Sequence, residues 1–313
     1  MMPAGVVGFV GLGNMGIPMT QRLVAAGYQV RGYDMSADAR AAFAAIGTSD
    51  AGGGVTPVTD LAAVGDGADA VILMLPDSDI VERVILARLA SEPAAGTAGG
   101  LLASLPAGAA IIDMSSSDPA RTRILAEQVA AAGVTLIDAP VSGGVAGARA
   151  GTLMIMVGGP TAAFERFQPM LATIGKKVVH AGDVGAGHAV KALNNLMSAA
   201  HLLASSEALI AGRRFGLDPA VMLEIVNGAS GRSGSTENKW PNYVLTEKYD
   251  AGFSIRLMVK DVKLALSIEH ATGVPSAASE AVVATWEAAL ADLPPDADHT
   301  AIARWLADRT QEE

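Results

Sequence analysis

The chain has 313 residues, half of them apolar and 17% charged, which is the composition of a folded protein with room for two cores. A formal charge of −10 argues against nucleic acid as a partner, because phosphate binding needs a basic surface, but it leaves room for a small anionic substrate in a local basic pocket. The absence of cysteine removes disulfides, thiolate catalysis and cysteine-ligated metal sites, and no metal is expected.

No apolar run reaches the ~18 residues of a membrane span, and no basic stretch precedes an apolar core at the N-terminus. The expectation is a cytoplasmic protein that does not engage a membrane.

Val6 to Val10 forms a short β-prone run that feeds into Gly11-Leu12-Gly13-Asn14-Met15-Gly16, and an apolar helical pattern follows. That order suits a dinucleotide-binding βα turn. Gly11 permits the tight turn, Gly13 admits a pyrophosphate close to the backbone, and Gly16 lets the helix pack on the strand. The start of the helix offers N–H groups and a positive dipole end to the phosphates. A second strand, Gln29 to Tyr33, ends at Asp34, where a carboxylate can accept hydrogen bonds from an adenine ribose. An ordinary glycine turn followed by a solvated Asp is the competing reading, and the strand–turn–helix–strand–Asp order disfavours it.

Further apolar strands are predicted at Ala70–Leu75, stopped by Pro76, at Ala110–Met114 and at Val134–Asp138. Leu153–Gly159 and Lys177–His180 read as two more strands of the same sheet. Continuous apolar strands suit a parallel sheet covered on both faces, and ligands in such sheets bind beyond the strand carboxyl ends. Residues 94–100, rich in Ala and Gly, read as a flexible surface loop.

After Gly187 the pattern changes. His188 to Phe215 reads as one long helix, and Asp218-Pro219 reads as the cap and first position of the next. Leu257–Thr272 and Ser276–Ala291 are further helices. The predicted architecture is α/β: a Rossmann-type doubly wound domain over 1–183, then an all-α substrate and oligomerisation domain over 184–313 that begins with the linking helix.

Three more segments carry polar chemistry. Asp138-Ala139-Pro140-Val141-Ser142-Gly143-Gly144 bares backbone N–H groups beside one hydroxyl, a combination that can hold a carboxylate. Taken alone, it is an ordinary glycine loop. Lys191 and Asn195 share one helix face at i, i+4 spacing, and Ser198 continues it. A lone Lys on an apolar helix is usually a snorkelling surface residue, but a Lys followed one turn later by Asn suits a polar site. Lys260-Asp261 sits on an amphipathic helix after Phe253, and by itself it is a solvated pair.

Together, these motifs resemble the β-hydroxyacid dehydrogenase family, over nearly the whole chain from Gly8 to about Ala271. The glycine loop, Leu75-Pro76, Asp113-Met114-Ser115-Ser116, the Asp138–Gly144 segment, the Lys191/Asn195 segment and Lys260-Asp261 all stand in family order. The resemblance implies an NAD-dependent oxidation of a short 3-hydroxy acid to the semialdehyde or keto acid, with Lys191 as catalytic acid/base. It implies that Ser142, Gly143 and Gly144 hold the substrate carboxylate and that Asn195 helps to bind substrate. Gly11 to Gly16, Asp34, Leu75, Pro76, Ser116 and Lys260 would meet NAD, Ser116 standing where the family usually has Thr. A homodimer or homotetramer is implied as well.

A free Lys titrates near ~10.4, so a base working near neutrality needs its ammonium form disfavoured by desolvation and by the positive charge of the oxidised cofactor. The segment from Ala229 to Ser235 resembles the family's substrate-side loop and makes Arg232 a substrate-binding candidate. Here Ser233-Gly234 replaces the Trp of typical 3-hydroxyisobutyrate enzymes, so a wider pocket is expected. Asp298-His299-Thr300-Ala301 has no role that the sequence supplies.

Several rivals remain. A reductase of tartronate semialdehyde or a related aldehyde acid would use the same groups. A decarboxylating phosphogluconate enzyme has His where Asn194 stands and a Glu soon after. Imine reductases usually replace the Lys. A catalytically inactive nucleotide-binding scaffold would not need Lys191 and Asn195 intact.

Overall fold

The structure, a computed structural model, describes residues 5–89 and 100–309. Residues 94–99 of the predicted glycine-rich loop lie outside them.

The chain starts as alternating strands and helices: β1 (Val6–Val10), α1 (Gly16–Ala25), β2 (Gln29–Tyr33), α2 (Ala37–Ala44), β3 (Gly54–Pro57), α3 (Ala62–Gly65), β4 (Ala70–Leu73) and α4 (Ser78–Leu86). It continues through β5 (Ala110–Asp113), α5 (Pro119–Ala130), β6 (Thr135–Asp138), β7 (Val141–Ser142), α6 (Gly144–Ala150), β8 (Leu153–Gly158), α7 (Thr161–Leu171) and β9 (Gly175–Gly182).

The strands form one sheet in the order β3-β2-β1-β4-β5-β6-β8-β7, with β9 also on β8. β1 to β6 are all parallel, in the 3-2-1-4-5-6 order of a doubly wound fold. Side chains alternate between the two faces. Ala70 and Ile72 of β4 pack with Met19 and Leu23 of α1, while Val71 and Leu73 pack with Val81 and Ile85 of α4 and Leu125 of α5. Each large side chain so buried contributes roughly 1.5–3 kcal/mol.

Two details depart from the sequence expectation. β8 runs antiparallel to β6 although it is as apolar as its parallel neighbours. Being buried on both faces makes a strand apolar whatever its direction, so composition does not report direction. The other detail is Val141-Ser142, expected within a loop, which pairs with Ile155 and Met154 as a two-residue strand.

The helical part comprises α8 (Ala186–Phe215), α9 (Pro219–Asn227), α10 (Ile255–Thr272), α11 (Ala277–Asp292) and α12 (Ile302–Arg309), with a π-helical segment at Ser235–Val244. Asp218 caps α9 through its bond from the Ala220 amide, with Pro219 opening the helix. A separate core gathers Leu196, Leu202 and Leu209 of α8, Val262 of α10, Trp286 of α11 and Ile302 and Trp305 of α12.

The chain divides into two compact units between Lys191 and Ala192. The first turn of α8 belongs to the sheet unit because its amides bond to β6. Gly185 N–H donates to Asp138 Oδ1 at 2.6 Å, and His188 N–H donates to Asp138 Oδ2 at 2.8 Å.

Candidate active site

In the sheet unit the candidate residues collect beyond the carboxyl ends of the parallel strands. The glycine loop follows β1, Asp34 follows β2, Leu75 and Pro76 follow β4, Ser116 follows β5, and Ser142 to Gly144 follow β6. The strand order reverses between β1 and β4, which is where a doubly wound sheet opens a crevice for a ligand.

The loop has the backbone that its glycines predict. Gly11 sits at φ +97°, and a Cβ on Gly16 would overlap the Gly11 carbonyl oxygen. At Gly13, by contrast, an added Cβ would meet nothing within 4 Å. The bare backbone at Gly13 faces open space at the start of α1, whose first turn has no side-chain cap. That cradle fits a pyrophosphate.

Asp34 closes the loop from the side. Its Oδ2 accepts the Leu12 N–H at 2.7 Å and its Oδ1 accepts the Ser36 N–H at 2.8 Å. Arg40 donates to the Asp34 and Met35 carbonyls, while Arg31 bonds the Asp66 carbonyl. The residues present fit a dinucleotide with its ribose on the Asp34 side. On the opposite side of the crevice, the Leu75 N–H donates to Ser115 Oγ at 2.9 Å, tying the β4 and β5 loops together beside half-buried Ser116.

Gly143 and Gly144 have φ of +129° and +60°, consecutive left-handed values that only glycine adopts readily. Both are exposed, and Ser142 is half-buried. The segment therefore presents bare backbone at the strand end.

At the ends of β5 and β6 lies a polar cluster whose roles the sequence did not reveal. Asp113 and Asp138 are adjacent in register on β5 and β6, and both are essentially fully buried. Asp113 accepts the Ser115 N–H and the Ser117 hydroxyl, while Asp138 accepts the two α8 amides. The buried His188 ring lies between them, with Nε2 3.7 Å from Asp113 and Nδ1 3.9 Å from Asp138. The Thr122 hydroxyl donates to the Asp118 carbonyl, so His188 Nδ1 is the donor in its 2.9 Å bond to Thr122. Asp138 acts as a remote N-cap for α8, the helix that carries Lys191. The readable signal was a long helix whose own first residues, Gly185-Ala186-Gly187, supply no capping side chain.

In the helical unit, Asn195 Nδ2 donates to Asp261 Oδ2 at 2.6 Å, and Lys260 Nζ lies 3.1 Å from Asp261 Oδ1. Asn195 and Asp261 are buried. Asp261 thus fixes the orientation of the Asn195 amide. Lys191 is half-buried one turn before Asn195 on α8. Arg232 stands apart from this group, mostly exposed, with Nε 3.8 Å from Glu237. Asp298, to which the sequence assigned no role, fastens the entry to α10 by accepting the Gly252, Phe253 and Thr300 amides and the Thr300 hydroxyl. Among the described residues no cluster of potential metal ligands is present, and no helix is long and apolar enough to cross a membrane.

Comparison with known proteins agrees with this architecture. Residues 6–182 match the family model of the NAD binding domain of 6-phosphogluconate dehydrogenase. Residues 185–306 match that described as NAD-binding of NADP-dependent 3-hydroxyisobutyrate dehydrogenase. The chain is 39% identical to 2-(hydroxymethyl)glutarate dehydrogenase of Eubacterium barkeri, over 86% of this chain and 84% of that protein. It is also 39% identical to 3-hydroxyisobutyrate dehydrogenase of Pseudomonas aeruginosa, over 83% of this chain and 84% of the relative. Among solved structures, Mycobacterium tuberculosis 3-hydroxyisobutyrate dehydrogenase with L-serine superposes with a TM-score of 0.84 at 31% identity, covering 96% of this chain and 99% of that one. With its glycine cradle, its Asp34 and these relatives, the chain belongs to the β-hydroxyacid dehydrogenase family, as an NAD-dependent oxidoreductase acting on CH–OH groups.

Proposed function

We propose that this enzyme oxidises a short 3-hydroxy acid to the corresponding semialdehyde or keto acid, with Lys191 as the proton-transfer residue. The observation that carries the reading is the α8 face. Lys191 precedes Asn195 by one turn, and Asn195 is locked by a 2.6 Å bond to buried Asp261. A buried carboxylate that orients this amide through one oxygen while Lys260 meets the other is better explained by a substrate contact than by packing alone.

In this reading, Gly11 to Gly16, Asp34, Leu75, Pro76, Ser116 and Lys260 hold NAD, which when bound supplies the hydride acceptor. The Ser142 hydroxyl and the Gly143 and Gly144 amides hold the substrate carboxylate. Asn195 binds the reacting hydroxyl, and Lys191 Nζ takes its proton as the C–H bond breaks. Reduction of an aldehyde acid such as tartronate semialdehyde runs the same groups in reverse, with Lys191 returning the proton to the alkoxide oxygen. Arg232, mostly exposed and apart from this group, contributes at most to the approach of an anionic substrate.

The enzyme works in the cytoplasm as a homodimer or homotetramer. Exposed Phe215, Val221 and Ile225, at the end of α8 and on α9, support a self-associating surface.

The test is NADH formation across 3-hydroxyisobutyrate, glycerate, L-serine and 2-(hydroxymethyl)glutarate. At least one should reach a kcat/KM of ~10⁴ M⁻¹s⁻¹. No NADH from any of them would remove the reading.

A further inference from the structure

Asn195 and Ser198 stand at i, i+3 on α8, so they share the face on which Lys191 precedes them. The structure brings a second cation to that face. Lys239 Nζ donates to Ser198 Oγ at 2.7 Å. The segment that delivers it is the π-helical turn Ser235–Val244, a rare geometry often retained at functional sites.

That turn is held at its start and beside Lys239. Ser233 and Thr236 bond reciprocally, Ser233 N–H to Thr236 Oγ1 at 2.9 Å and Thr236 N–H to Ser233 Oγ at 3.3 Å. Asn227 Nδ2 donates to the Thr236 carbonyl at 3.2 Å. Directly after Lys239, buried Trp240 donates from Nε1 to Ser206 Oγ on α8 at 3.3 Å. Lys239 is therefore held over α8 by neighbours that would position its backbone even without its own bond to Ser198. Its charge also reaches buried His299, where it adds to burial in pushing the imidazole down.

We propose that Lys239 and Ser198 form a subsite for a second, distal carboxylate, and that the preferred substrates are short hydroxy dicarboxylic acids. This rests on the reading of Lys191 and Asn195 given above. The Ser198 oxygen accepts from the ammonium, so the Ser198 hydroxyl hydrogen is directed elsewhere, and an ammonium beside an O–H donor matches the two oxygens of a carboxylate. One ammonium balances one carboxylate. A phosphate or phosphonate carries more charge and more acceptor oxygens, and Arg forks serve it better. Three residues separate Asn195 from Ser198, about 4.5 Å along the axis, so the subsite lies one turn beyond the amide that binds the reacting hydroxyl.

The experiment compares 2-(hydroxymethyl)glutarate with 3-hydroxyisobutyrate in wild type, Lys239→Met, Lys239→Arg and Ser198→Ala. The wild type should favour the diacid at least tenfold in kcat/KM. Lys239→Met should raise the diacid KM about 30-fold, at least ten times more than it raises that of the monoacid, with kcat for the diacid within threefold. Lys239→Arg should restore most of the loss, and Ser198→Ala should raise the diacid KM several-fold.

As a readout free of turnover and of variant folding, calorimetry on the wild-type NADH complex should show glutarate binding at least tenfold tighter than butyrate. A monoacid preference in wild type, equal losses for both acids, or equal binding of glutarate and butyrate would overturn the proposal. The two readings fail separately. If Lys191→Ala keeps its turnover while glutarate still binds through Lys239, the acid/base role falls and the subsite stands. Good turnover of the monoacid alone leaves the dehydrogenase reading and removes the subsite.

Discussion

Replacing Asp138 by Asn sets two effects against each other. Asp138 is 0% exposed and neighbours buried Asp113 in register, so losing its charge relieves a like-charge contact. Against this, both of its oxygens accept amides at the start of α8, at 2.6 and 2.8 Å. Asn keeps one acceptor and turns an NH₂ toward the other amide. One buried N–H is then orphaned, at about 1–3 kcal/mol, and the anion that complements the helix dipole is lost, at about 0.3–1 kcal/mol.

The Asp113 carboxylate has its own donors in Ser115 and Ser117, so the relief it gains is the smaller term. The net expectation is a loss of about 2 kcal/mol, or roughly 4–8 °C of melting temperature for a unit of this size. Calorimetric melting of wild type and Asp138→Asn, each with and without NAD, measures it. Because the disturbed turn leads into Lys191, kcat should fall as well, while NAD binding at the glycine loop changes little. A melting temperature that is unchanged or raised would show that charge repulsion dominates and that Asp138 is not the cap of α8.

Two other expectations follow from named contacts. Asp34→Ser should lower kcat/KM for NAD at least tenfold and narrow the preference over NADP, because the carboxylate accepts the Leu12 amide and is the proposed acceptor for the ribose hydroxyls; a wild-type preference for NADP in steady-state kinetics would contradict this. Acidification should destabilise the helical unit through Asp298 and His299. Burial pushes the His299 imidazole below its ordinary value of 6.5, against the upward pull of the Asp298 carboxylate. As pH drops below 6.5 the unfolded chain therefore binds protons that the folded state refuses, and stability is lost down to the folded value. Burial alone would raise the Asp298 carboxyl, but His299 and the Thr300 hydroxyl and amide hold it well below the usual carboxylate range, so its contribution is lost only below about pH 4. His299→Gln should flatten the melting-temperature slope between pH 7 and 5; an identical slope in the variant would refute the assignment.

The nucleotide loop was legible because its requirements are local. Gly11, Gly16 and Asp34 lie within one βαβ unit, and each answers a steric or hydrogen-bonding need set by near neighbours. The long α8 helix and the Asp218-Pro219 start of α9 were legible for the same reason, since helix periodicity and capping are written over a few residues. The direction of β8 was not, because burial on both faces produces the same apolar run in either direction. Asp138, His188 and Thr122 were invisible as a cluster. Their partners lie 47 to 66 residues away, and a buried Asp at a strand end looks in sequence like any Asp before a loop. The bond from Lys239 to Ser198 spans 41 residues and depends on a π-helical turn that no simple periodicity announces.

In the proposed mechanism Lys191 moves the proton of the reacting hydroxyl. This role is tested most directly by Lys191→Ala, measured for kcat with the best hydroxyacid and for NADH affinity by fluorescence titration. The expected result is a fall of about 10²–10⁴-fold in kcat, with NADH affinity within threefold of wild type, since the proposed cofactor cradle is Gly11 to Gly16 with Asp34. Retention of more than a tenth of the wild-type kcat would contradict it.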